Sequence, residues 1–171
     1  MTIQDLGSLG ELIAAIATVA TLGYLAVQIR QNTRSVRASS RLSVSQTYNE
    51  HSRLQIDPIV HRAYVHGIHA YPELPFDERG IFANLMSDHW IFFQGAFALY
   101  EEGQLERQTY EAYLDWFACQ VATPGGAALW REVEASPFGS TSAAAAVNER
   151  LRRGDLLDIL RFPVHRIEAE Q

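Results

Sequence analysis

Eighteen consecutive residues, Leu12 to Ile29, read LIAAIATVATLGYLAVQI; none is charged and only Gln28 is strongly polar. A helix of that length spans roughly 27 Å at about 1.5 Å per residue, close to the ~30 Å hydrocarbon core of a bilayer. The pattern predicts one transmembrane helix within residues 1–30, preceded by a short outer N-terminus. A secretory signal peptide carries a basic segment ahead of its apolar one, whereas this flank holds Asp5 and Glu11. A helix apolar on all sides also occurs in soluble cores, but a chain of 171 residues has little body to surround one.

Polarity changes abruptly at Arg30. Arg30, Arg34, Arg37 and Arg41 are spaced by four, three and four, so a continuing helix carries them in one line. No Gly or Pro intervenes before Asp57-Pro58, which predicts a long helix from about Gly10 to about Ile56. Val36, Leu42, Val44, Tyr48, Leu54 and Ile56 are the expected packing residues of its extension.

The remaining pattern has the helical period. Asp57-Pro58 reads as an N-cap and first-turn proline for a helix through IVHRAYVHGIH. Asp77 is the expected cap of a longer helix that ends at Gly103, with Phe76 and Ile81 as a hydrophobic staple. Its apolar positions include Phe82, Leu85, Met86, Phe93, Phe97 and Tyr100, while Asn84, Asp88, His89 and Gln94 in its middle weigh against a second membrane span. Tyr110, Tyr113, Leu114, Phe117 and Val121 mark a helix over 107–121. Thr123-Pro124 and Ser136-Pro137 read as the starts of shorter helices, and SAAAAVNERLRRG as a last helix stopped by Gly154. No segment alternates with period two. The expected fold is all-α: a long N-terminal helix, membrane-spanning and then cytoplasmic, followed by a small antiparallel bundle in a cytoplasmic domain, residues 31–171.

Charge sharpens the placement. The net charge is −6 and every base is arginine. Residues 1–29 carry −2, residues 30–57 carry +3 and the rest −7. An acidic body argues against nucleic acid as a partner. Arginines that follow the apolar helix, with none before it, predict the N-terminus outside and the bulk of the chain in the cytoplasm, with Tyr24 near the inner interface. The first two or three arginines, Arg30 and Arg34 above all, are close enough to meet anionic headgroups; Arg37 and Arg41 fall further inward, free to meet the acidic body or a partner or to face water. Gly10, Ala14, Ala17, Thr18 and Thr21 recur at helical spacing and form a small-residue face of the kind that lets helices pack closely in lipid.

Candidate chemistry is sparse. His66 and His69 are spaced i, i+3 with His61 nearby, but no Cys or Glu completes a metal-binding pattern. Asp88 and His89 are adjacent on a helix and do not face each other, so a buried contact with the first helix suits His89 better than catalysis. Trp90, Phe92, Phe93, Phe97, Tyr100, Tyr113, Trp116 and Phe117 build a core, or line a pocket within it. TPGG at 123–126 lacks the Lys and hydroxyl residue of a P-loop, and with no lysine in the chain Schiff-base chemistry is excluded. Cys119 sits in an apolar run as a buried thiol and has no partner for an internal disulfide.

GELIAAIATVATLGYLAVQIRQNTRSVRAS resembles the N-terminus of a widespread group of uncharacterised bacterial proteins, in which an apolar helix closes on a Y-L-A-x-Q-I-R-x-N-T-like motif. The likeness continues through FDERGIFANL, LYEEGQLE and WFACQVATPGGAALW. It implies a membrane-anchored helical domain acting as one unit, with no activity to carry over. The expectation is a non-enzymatic, single-pass inner-membrane protein without cofactors, an accessory or scaffolding subunit whose partners are lipids and other membrane subunits or a second copy. A tethered sensor with a hydrophobic ligand in the aromatic core, and a metal enzyme using His61, His66, His69 or His89, are the alternatives.

Overall fold

A computed structural model describes residues 3–165 of the chain. Six α-helices, α1 (Ile3–Leu54), α2 (Pro58–Ala70), α3 (Phe76–Glu101), α4 (Arg107–Val121), α5 (Pro124–Glu134) and α6 (Ser142–Arg153), are joined by short connections, with a 3-10 turn between α2 and α3 and another between α5 and α6, and no strand among the described residues. The fold is all-α, a long N-terminal helix followed by a small helical bundle. Two compact units divide after Ser39.

α1 begins seven residues before Gly10 and ends two before Ile56. Gly7 and Gly10 do not stop it, because a glycine costs a helix only about 1 kcal/mol and no proline precedes them. In the first unit its apolar residues are exposed: Leu12, Ile16, Val19, Leu22 and Ile29 each keep 58–70% of their surface. In the second unit Ser40, Val44, Tyr48 and Gln55 follow helical spacing on one face; Val44 is buried, and the Ser40 hydroxyl donates to Gln104 Oε1 at 3.1 Å. Leu42 and Ile56, expected to pack, are 60% and 76% exposed because they lie off that face; the side chain of Leu54 lies outside the described residues.

The bundle is held by capped ends and an aromatic core. Asp57 Oδ1 accepts from the Ile59 and Val60 amides at 2.8 and 3.3 Å, and Thr123 Oγ1 from the Gly126 amide at 3.0 Å, each ahead of a first-turn proline. Gly103, with φ of +69°, closes α3, and Gly154, with φ of +73°, closes α6; the left-handed region suits glycine at both. Two expected starts differ. α3 begins at Phe76 with Pro75 before it and no side-chain cap, and Phe76 is 87% exposed, so Phe76 and Ile81 make no staple. There Arg79 ties down the entry loop instead, its guanidinium donating to the Pro72 and Leu74 carbonyls at 3.2 and 2.8 Å. Ser136-Pro137 opens only a 3-10 turn, and Thr141 caps α6 through the Ala144 amide at 3.2 Å.

α2 packs on α3 and α5, and α4 on α3, α5 and α6. Phe82, Phe93 and Phe117 are fully buried at the centre. Phe93 stacks on Phe117 at 5.7 Å, and Trp90 meets Trp130 edge-on at 5.0 Å. Burial of such rings, at about 25 cal/mol per Å² of apolar surface removed from water, is the main force holding these helices together.

Candidate functional site

Accessible surface and arranged polar chemistry coincide along the apolar stretch of α1 and in a cleft of the bundle. On α1 three polar side chains between Leu12 and Ile29 donate within the helix. Thr18 Oγ1 donates to the Ala14 carbonyl at 2.9 Å, Thr21 Oγ1 to Ala17 at 2.8 Å, and the Gln28 amide to the Tyr24 hydroxyl at 2.6 Å. These bonds matter because an unpartnered donor in hydrocarbon costs several kcal/mol. The helix is long and apolar enough to cross a membrane.

Gly10, Ala14, Ala17, Thr18 and Thr21 share one exposed face, and a Cβ built on Gly10 meets nothing within 4 Å. At about 100° per residue, Arg30, Arg34 and Arg37 point to the opposite side of the same helix. Arg41 forms an ion pair with Glu106 at the start of α4, with 46% and 58% of the two side chains exposed. The innermost arginine of the line thus contacts the acidic body.

In the bundle, His89 of α3 is completely buried. Its Nδ1 lies 2.8 Å from Gln120 Oε1 and its Nε2 3.4 Å from Gln55 Nε2. The amide oxygen of Gln120 at Nδ1 suits a hydrogen on that nitrogen. Gln120 Oε1 also accepts from the Tyr64 hydroxyl at 3.3 Å, and Gln120 Nε2 donates to the Trp116 carbonyl at 3.2 Å. Burial first, then the neighbouring Tyr48 and Cys119, pushes the Tyr64 phenol up, which keeps it a donor. His89 therefore makes the buried polar contact the sequence suggested, though with Gln55, one residue past the end of α1. Gln55 and Gln120 were missed as members because neither stands out within its helical pattern.

This network floors an open cleft of about 580 Å³ lined by Tyr48, Tyr64, Trp116, Cys119, Leu157 and His165 among others. Tyr48 and Trp116 meet nearly at right angles, centroids 5.4 Å apart. Arg150 bonds both Asp115 and Asp155 at the mouth and holds the Asp155 carboxyl below its ordinary range. Cys119 is buried, and desolvation pushes its thiol up, away from the nucleophilic thiolate.

No family model, curated protein or solved structure matches the chain. The site rests on its own geometry.

The other candidates are dispersed. His66 Nδ1 sits 3.2 Å from Glu78, which Arg62 also meets at 3.2 Å; His69 Nε2 is 2.8 Å from the His165 carbonyl. Among the described residues no three His, Cys, Asp or Glu converge to hold a metal, and Asp88 borders a different groove from His89. The aromatic core holds a cavity of about 30 Å³ beside Trp90 and Trp130, room for one water and not for an organic ligand. Trp90 Nε1, a buried donor without a protein partner, is in the wall residue of that cavity.

Proposed function

We propose that the chain is a non-enzymatic, single-pass protein of the bacterial inner membrane, an accessory or scaffolding subunit of a larger membrane complex, and a member of the bacterial group its N-terminal motif resembles. The observation that carries the reading is the apolar stretch of α1: large aliphatic residues exposed all round except on the small-residue face, with the Thr hydroxyls and one Gln28 N–H bonded inside the helix. In water such a surface is strongly unfavourable; in hydrocarbon it is at home, and the internal bonds lower the cost of the polar groups it carries. The line of arginines supports a cytoplasmic bundle and an outer N-terminus. The accessory role draws on the two-sided helix, with small residues on one face for a partner helix, or a second copy, and arginines on the other for anionic lipid.

The test is disulfide crosslinking in native membranes, in a Cys119→Ala background that leaves each variant with one cysteine. Ala14→Cys, Ala17→Cys and Thr21→Cys crosslink to a neighbouring helix, while Ile16→Cys and Val19→Cys, on the opposite side, do not. Equal crosslinking from both faces, or none from either, overturns the partner role while leaving the anchor to be judged separately.

A further inference from the structure

The cleft over His89 and Gln120 has no part in that reading, and its chemistry defines the ligand it accepts. We infer that it binds a small organic cation with an apolar body, such as a quaternary or protonated amine.

The floor is polar and tied together, His89 Nδ1 and the Tyr64 hydroxyl both meeting Gln120 Oε1. The inner wall is aromatic, with the near-perpendicular rings of Tyr48 and Trp116 forming a corner. Ring faces carry negative potential, so such a corner attracts a cation and repels an anion. Leu156, Leu157 and Ile159 also line the cleft and suit an apolar body.

The mouth decides the sign of charge. Arg150 is the cation there, yet only 11% of its side chain is exposed and it is shared between two carboxylates. Asp115 and Asp155 remain 50% and 74% exposed. An arriving anion meets the carboxylates before the guanidinium. The three groups sum to one negative charge, with the acidic oxygens outermost. A cleft of about 580 Å³ lies within the range of small-molecule sites, roughly 300–1,000 Å³.

The test uses the full chain in detergent micelles, with protein-free micelles as reference, and follows tryptophan fluorescence and saturation-transfer NMR. The probes are benzyltrimethylammonium, neutral benzyl alcohol and anionic benzenesulfonate. The cation binds saturably and about tenfold or more tighter than either other probe. Asp155→Asn, at an exposed position that leaves the fold intact, weakens it about three- to tenfold, and Trp116→Leu removes saturable binding. Equal binding of the three probes, preference for the anion, no effect of Asp155→Asn, or no saturation by any probe overturns the inference. If Trp116→Leu fails to fold, Asp155→Asn decides alone.

Discussion

Replacing Gly125 by alanine exposes how the bundle is assembled. A Cβ there would stand 1.7 Å from the Gly67 carbonyl oxygen, 2.8 Å from its carbon and 2.9 Å from the Tyr71 nitrogen, all backbone of the α2 segment. To regain an ordinary 3.4 Å contact, α2 and α5 must part by about 1.7 Å. Gly67 has no slack on its other side, since a Cβ on it would fall 2.1 Å from the Phe82 ring. Overpacking costs typically about 1–3 kcal/mol, and an obstacle made of two backbones puts this site at the upper end. Helix propensity returns up to about 1 kcal/mol, leaving a net loss near 2 kcal/mol. For a chain of this size that lowers Tm by roughly 4–8 °C. Gly95→Ala is the matched control: it lies within α3, its Cβ meets nothing within 4 Å, and it gains about 0.5–1 kcal/mol. Thermal unfolding of the full chain in detergent, followed by circular dichroism, compares the two. A Gly125→Ala variant as stable as Gly95→Ala would refute the close crossing of α2 and α5.

Three further outcomes follow from single contacts. Gln120→Ala removes the acceptor of both His89 and Tyr64 and destabilises the bundle by about 2–4 kcal/mol in chemical denaturation, with loss under 1 kcal/mol counting against the network. Arg41→Ala changes stability by less than about 1 kcal/mol at any salt concentration, because both ends of its pair with Glu106 are half-exposed; a larger or salt-insensitive loss contradicts that. Burial holds the Cys119 thiol protonated above its ordinary range, so its reaction with iodoacetamide at pH 8 is many-fold slower in the folded chain than after denaturation, and rises with pH only beyond the range of a free cysteine. Equal rates in the two states would place the thiol at the surface.

The helical class and most helix ends were legible because they depend on local chemistry. Asp57 and Thr123 cap the helices expected of them, each standing just before a proline and accepting through a side-chain oxygen from a first-turn amide beyond it. Asp77 misled for the same local reason. An acid after a proline loop looks like a cap, but Arg79 reaches back from the next turn to hold the loop carbonyls, and the helix starts one residue earlier. The TPGG stretch could be excluded as a P-loop but not recognised as packing. Its glycines are required by the Gly67 backbone and by the Gln120 carbonyl, which a Cβ on Gly126 would approach to 2.0 Å. Neither neighbour is readable from the four letters. The cleft was hidden likewise: His89 stood out as polar in an apolar helix, while Gln55, Gln120 and Tyr64 gather around it only through tertiary packing. The small and basic residues of α1 were visible with their spacing, because one helix carries them all.

The central claim is that the apolar stretch of α1 lies in a membrane. Alkaline carbonate extraction of membranes from cells making the full chain tests it most directly, since carbonate strips peripheral proteins and leaves spanning helices in place. The account predicts that the protein stays with the sedimented membranes, and that Val19→Asp, which puts a charge costing about 2.5–3.5 kcal/mol near mid-span, shifts it towards the supernatant. Release of the unaltered chain into the supernatant would contradict it.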